Sequence, residues 1–128
     1  MSLPGVDSIT SLLNSFLDVQ SRRAETVAGN LANAETPGYH AREVDFKDYL
    51  SRAAEDALTG QPADGRAKLP ATLNVVEQAS GTIGLDGNTV DVGRETATLA
   101  EAGMQYLTGA QLLQSRLRTL RAAIREGR

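Results

Sequence analysis

Asn30-Leu31-Ala32-Asn33-Ala34-Glu35-Thr36-Pro37-Gly38-Tyr39 closes an apolar-striped segment, and the way it closes decides the fold. Pro37 drives Thr36 out of the helical region. Pro37-Gly38 suits the two central positions of a type II turn, where the glycine accepts a positive φ. Asn30 and Asn33, three residues apart, share a helix face, and their amides can bond either the last free helix carbonyls or the returning chain. Upstream, Ile9, Leu12, Leu13, Phe16, Leu17, Ala24, Val27, Ala28 and Leu31 form a broad helical face. This helix is expected to begin near Asp7 or Ser8, either of which can cap it, with Pro4-Gly5 as the breaker before them. A strict heptad fails in the middle, where Gln20 and Arg23 take the seam positions. The segment therefore reads as a wide stripe with a phase shift rather than a two-stranded zipper.

The far end carries a second, longer stripe. Leu99, Gly103, Tyr106, Ala110, Leu113, Leu117, Leu120 and Ile124 follow alternating steps of four and three, and Val92 and Thr96 extend the series backwards. Asp91 is the expected N-cap, with Glu95 in the first turn and arginines at the negative end of the helix dipole. At 1.5 Å per residue, roughly 33 residues make a rod of about 50 Å, too long to hide its stripe alone. Gly103 and Gly109 each weaken such a helix by roughly 1 kcal/mol relative to Ala. Gly103 lies on the seam, where it suits the close approach of another helix.

Between the stripes the pattern is weaker. Val44, Phe46, Tyr49 and Leu50 predict a short helix over about 45–57. The run from Thr59 to Pro70 has the composition of a mobile linker. Thr72–Val76 and Thr82–Leu85 have strand character and suit a small hairpin or an extended segment lying on a neighbour. Asp86-Gly87-Asn88 reads as a turn. The expected fold is mainly α: long terminal helices packed as an antiparallel hairpin or coiled coil, with an irregular, partly extended middle. Its three parts are an N-terminal helix over 1–36, a middle segment over 37–90 and a C-terminal helix over 91–128.

Composition narrows the function. The 128 residues suffice for one domain, but only 4% are aromatic and there is no Trp, so Leu and Ala are expected to do most of the packing. Such a chain gains stability by associating with copies or partners. Without Cys, disulfides and thiolate chemistry are excluded. The single His40 sits in a turn with no carboxylate at metal-ligand spacing, and no metal or cofactor is expected. Gly81-Thr82-Ile83-Gly84 lacks the Lys-Ser/Thr of a phosphate loop. No catalytic residue is assigned, and the chain does not read as an enzyme. The net charge of −3 argues against nucleic acid and anionic lipid. The basic tail, five arginines from Arg116 to Arg128 against Glu126 alone, flanks the seam as partner-selecting charges do. The start resembles no cleaved signal peptide, and no stretch approaches the ~20 apolar residues of a membrane span.

Gly29-Asn30-Leu31-Ala32-Asn33-Ala34-Glu35-Thr36-Pro37-Gly38-Tyr39 resembles the N-terminal signature of bacterial flagellar axial proteins, approximately Asn-Asn-Ile-Ala-Asn-x-x-Thr-Pro-Gly-Tyr. Asn30, Ala32, Asn33, Thr36, Pro37, Gly38 and Tyr39 match it. Ala41–Phe46, Asp86–Asp91 before the second helix and the ending Leu120–Arg125 are similar to the flagellar basal-body rod protein family, and to its proximal rod members in particular. Gly29, His40 and Ala102-Gly103 depart from the residues usual there. The resemblance implies a structural subunit of the rod, located in the basal body, exported without a cleaved signal peptide and assembled helically through its terminal helices. It also implies partners: other copies of itself, other rod proteins, the adaptor at the rod base and the export-gate or MS-ring components. The motif residues Asn30, Asn33, Thr36, Pro37, Gly38 and Tyr39 are then expected to fix the helix exit for assembly. A cytosolic coiled-coil adaptor or secretion chaperone is the alternative that the stripes alone also allow.

Overall fold

The computed structural model describes residues 4–59, 73–78 and 83–127. The linker expected between Thr59 and Pro70 lies outside them from residue 60 onward, as do Thr72 and Thr82 of the expected strands. In chain order the elements are α1 (Pro4–Ala32), β1 (Arg42–Asp45), α2 (Lys47–Thr59), β2 (Asn74–Glu77) and α3 (Val92–Glu126).

Helix α1 begins at Pro4, earlier than the Asp7 or Ser8 expected. Proline at the opening of a helix loses no hydrogen bond, because the first N–H groups have no intrahelical acceptor. The helix also ends earlier than Pro37 alone requires. After Ala32 the chain tightens into short turns, Asn33 N–H to the Asn30 carbonyl at 3.0 Å and Thr36 N–H to the Asn33 carbonyl at 3.0 Å. The expected turn at Pro37-Gly38 follows, with Gly38 at φ +70° and Tyr39 N–H bonded to the Thr36 carbonyl at 3.2 Å.

The middle segment differs from expectation in its pairing. β1 runs antiparallel to β2, with Arg42 opposite Glu77 and Val44 opposite Val75. The strand at Val75-Val76 thus pairs backwards with the chain leaving the corner, and Ile83–Leu85 forms no strand. Because 42–45 is extended, α2 starts at Lys47 rather than near Asp45. It packs on α1 through the buried Tyr49, whose hydroxyl engages the Ser15 side chain.

The long helices lie side by side and antiparallel. Gly109 faces Phe16 and Leu17, Arg23 reaches Glu101, and Asn30 reaches Glu95, so one number falls as the other rises. Asp91 caps α3, its side chain accepting from Arg94 N–H.

On α1 the expected stripe is in contact, through Phe16 and Leu17, but the centre of the α3 face is not the expected one. The buried residues of α3 are Glu95, Ala102 and Gly109, spaced by sevens. Of the expected seam, Leu99, Ala110, Leu113 and Leu120 are half-buried, while Gly103, Tyr106, Leu117 and Ile124 are exposed. The close approach likewise occurs at Gly109, where an added Cβ would meet Leu17 Cδ2 and Phe16 Cδ1 at 3.0 Å, whereas nothing lies within 4 Å of one at Gly103. Small residues let α1 come close, so the packed line is chosen by fit and the more apolar line is only partly covered.

On α1, Gln20 is 2% exposed, and the half-buried Arg23 reaches Glu101 of α3 at 3.8 Å. The two polar residues that interrupt the stripe are therefore not on its exposed side. Among the described residues the buried apolar side chains are Val19, Val27, Ala41, Val44, Tyr49 and Ala102. Leucine and alanine were expected to do most of the packing; alanine is in this core, while the described leucines lie at its margins or outside it.

Candidate functional site

The motif residues Asn30–Tyr39 form the corner where α1 hands the chain to β1, and this corner is bound to the stretch Asp86–Thr89 that leads into α3. Three sets of polar contacts make the junction.

The innermost centres on Asn30, which is 0% exposed. Its Oδ1 accepts from Arg42 N–H at 2.9 Å and from the Tyr39 hydroxyl at 3.3 Å. Its Nδ2 donates to the Arg42 carbonyl at 2.7 Å and to Glu95 Oε2 at 2.9 Å. Every donor and acceptor of the amide is thereby used. Glu95, 1% exposed, also accepts from Gln78 Nε2 at 3.4 Å. One side chain thus reads α1, the start of β1 and the first turn of α3, while Gln78, just past β2, holds the carboxylate from the other side.

The second set belongs to Asn88. Its Nδ2 lies within 3.0 Å of the carbonyls of Asn33, Ala34 and Thr36. These carbonyls belong to the turns that follow α1, so Asn88 ties that corner to a distant part of the chain. Asn88 is itself aimed by its Oδ1, which accepts from Val90 N–H at 2.7 Å, and by Asp86 Oδ1, which accepts from Asn88 N–H at 3.1 Å.

The third set is mostly backbone. Gly38 N–H donates to the Asp86 carbonyl at 2.9 Å, Thr89 N–H to the Tyr39 carbonyl at 3.0 Å, and Ala41 N–H to the Thr89 hydroxyl at 2.8 Å. Gly38 and Gly87 are both at positive φ, and a Cβ on Gly87 would stand 3.6 Å from Gly38 Cα. Two turns face each other here, which suits glycine at both.

The remaining motif residues act locally. Asn33 Nδ2 donates to the Gly29 carbonyl at 2.8 Å, and the Thr36 hydroxyl donates to Asn33 Oδ1 at 3.2 Å. Pro37 sets the turn and is exposed. His40 is exposed, with Nδ1 3.9 Å from Glu77 Oε2. The eight residues of the expected α3 seam lie away from this junction, farther along the helix.

Glu95 and Gln78 are the residues the sequence reading missed at this site. Glu95 stood there only as a first-turn carboxylate facing the helix dipole. The signal that finds it is its place on a line of sevens with Ala102 and Gly109. Gln78 carries no comparable signal, because strand pairing alone brings it in.

Among the described residues there is no group of three His, Asp or Glu placed to hold a metal ion, and no helix is long and apolar enough to cross a membrane. The junction bonds one segment of the chain to another.

No protein-family model matches the chain. It is 30% identical over 136 residues to the flagellar basal body rod protein FlgB of Salmonella typhimurium, covering 98% of this chain and 99% of that protein. It is 29% identical to the protein of the same name from Escherichia coli K12 over the same shares of the two chains. Against the one from Proteus mirabilis it is 30% identical, over 87% of this chain and 89% of that one.

Proposed function

The chain belongs to the FlgB family of flagellar basal body rod proteins, structural subunits of the rod, and from that premise we propose that it builds the proximal rod by burying the open face of α3 against neighbouring subunits. The observation that carries this reading is the apolar line left outside the hairpin. Tyr106 is 43% exposed and Ile124 71%, with Leu117 and Gly103 on the same line and Met104, Leu107 and Leu112 beside it. At ~25 cal/mol per Å2 of apolar surface removed from water, repeated contacts along such a line hold a shaft together without covalent links. Its partners are other copies of the chain and other rod proteins, with the adaptor at the rod base and the export-gate or MS-ring components beneath.

The corner has a separate task in this reading. It fixes the direction in which the middle segment leaves α1, and so where that segment meets the neighbouring subunit. Asn30, Asn33, Thr36, Pro37, Gly38 and Tyr39 are the residues that do so. Replacing Pro37-Gly38 by Ala-Ala removes the turn that aligns Gly38 N–H with Asp86, and is expected to abolish swimming.

Fractionation tests the whole. The protein is expected to co-purify with basal bodies, and deletion of its gene to stop rod formation. A protein that stays wholly in the soluble fraction, with rods intact in its absence, would overturn the proposal.

A further inference from the structure

Beside the junction, where α1, β1 and the first turns of α3 meet, lies an open cleft of about 100 Å3. Three arginines line it: Arg23 from α1, Arg42 from β1 and Arg94 from α3. The buried Val27 and Val44 and the half-buried Phe46 supply its apolar lining. Two carboxylates, Glu43 and Glu95, line it as well, and Glu95 is already engaged by Asn30 and Gln78.

Arg23 is held in place without being satisfied. Its guanidinium carbon stands 5.1 Å from the centre of the Phe46 ring, a stacking that positions an arginine without using its N–H groups. Its ion pair with Glu101 spans 3.8 Å, beyond the reach of a direct hydrogen bond. The side chain is only 17% exposed, so much of its hydration is lost. Among the described residues no oxygen lies within hydrogen-bond distance of this guanidinium. Arg42 enters the junction through its backbone alone, bonding Asn30 with its N–H and its carbonyl, while its exposed side chain lines the cleft.

We infer that the cleft receives the carboxylate of an Asp or Glu side chain from a neighbouring subunit. Size decides against a cofactor or drug-sized molecule, whose pocket would measure roughly 300 Å3 or more. The fork of a guanidinium matches the two oxygens of a carboxylate, and the first turn of α3 adds the positive end of its dipole. The apolar lining suits the methylene stem that carries such a carboxylate, a part that a free inorganic anion does not have. The inference rests on the rod-subunit reading and names the chemistry of one contact between subunits.

Photo-crosslinking identifies the occupant. The exposed Glu43 is replaced by p-benzoylphenylalanine, cells are irradiated, and the adduct in purified basal bodies is digested and sequenced by mass spectrometry. The expected product joins Glu43's position to a segment of a neighbouring subunit that contains Asp or Glu. Adducts confined to the chain's own residues, or to a segment without a carboxylate, overturn the inference and leave the rod reading intact. Charge supplies a second arm. Arg42→Glu is expected to lower the amount of the protein in basal bodies about tenfold or more, whereas Arg42→Lys stays nearer the parent. Should Arg42→Glu melt below the parent as purified protein, Arg42→Gln takes its place. A variant that melts like the parent and assembles in equal amount overturns the contact. Saturation of the Arg23 Nε–H resonance of the purified chain at micromolar inorganic phosphate assigns the cleft to a free anion and also overturns it. Absence of the unaltered chain from basal bodies removes both readings.

Discussion

The amide of Asn30 and the carboxylate of Glu95, 65 residues apart in sequence, meet at 2.9 Å in the interior of the junction. This one hydrogen bond ties the exit of α1 to the entry of α3 and so sets the axial register of the hairpin. A buried carboxylate is tolerated there because two side-chain amides donate to it, from Asn30 and Gln78. A change of either partner leaves the other buried and unsatisfied, which costs more than the bond itself contributes.

Asn30→Asp replaces the donating nitrogen with an acceptor and sets two carboxylates together out of water. The Arg42 carbonyl loses its partner as well. We expect a loss of about 3 kcal/mol in urea unfolding at neutral pH. A variant within 0.5 kcal/mol of the parent, to order of magnitude, would show that the junction does not hold the hairpin.

Asn88→Ala removes the amide that gathers three carbonyls of the corner after α1 while leaving the backbone turns in place. The expected cost is about 2 kcal/mol. Hydrogen exchange should locate it: the amides of Gly38, Tyr39 and Thr89 should exchange faster, while those in the middle of α3 keep their protection. Uniform acceleration along the whole chain would contradict a local role.

The two glycines of α3 should respond to alanine in different ways. Gly103→Ala adds a methyl in open space and gains helix propensity, stabilising the isolated chain by up to about 1 kcal/mol. Gly109→Ala gains the same propensity, but its methyl falls 3.0 Å from Phe16 and Leu17. Crowding offsets the gain there, and Gly109→Val should destabilise by about 1–3 kcal/mol. Thermal melts of the three variants give the comparison. Equal behaviour at 103 and 109 would mean that the line of α3 facing α1 has been misassigned.

Gln20 carries a buried Oε1 with no hydrogen-bond partner among the described residues. Gln20→Leu keeps the bulk and removes the unsatisfied atom, so it should raise stability by about 1–2 kcal/mol. A lower melting temperature for this variant would indicate that the amide is satisfied in solution.

Tyr49 has its pKa raised above the ordinary 10.0, first by burial and next by the nearby Asp18 carboxylate, with the Ser15 hydrogen bond acting the other way. The folded state therefore keeps this proton at a pH where the unfolded chain has released it. The associated stability is complete below about pH 10 and is lost as pH rises through the folded value. Tyr49→Phe should flatten that alkaline decline, as read from unfolding at a series of pH values above 9.5, a range set approximately by the phenol's ordinary pKa. A decline of unchanged slope would assign it to other groups.

The sequence alone determined what depends on neighbours along the chain. The positions of the two long helices, the turn at Pro37-Gly38 and the cap at Asp91 follow from periodicity, the fixed φ of proline and the freedom of glycine at positive φ, all of them local. The tertiary structure alone decided which face of α3 meets α1, that Val75 pairs back with Val44, and that Asn88 holds the corner that follows α1. A repeat of fours and threes says that a helix has an apolar line; it does not say whether that line faces its own chain or the next subunit. Here the small residues Ala102 and Gly109 admit the close approach of α1, and the bond from Asn30 to Glu95 fixes the rotation. The more apolar line is thereby left only half-covered, by contacts between residues too distant in sequence for any local pattern to show.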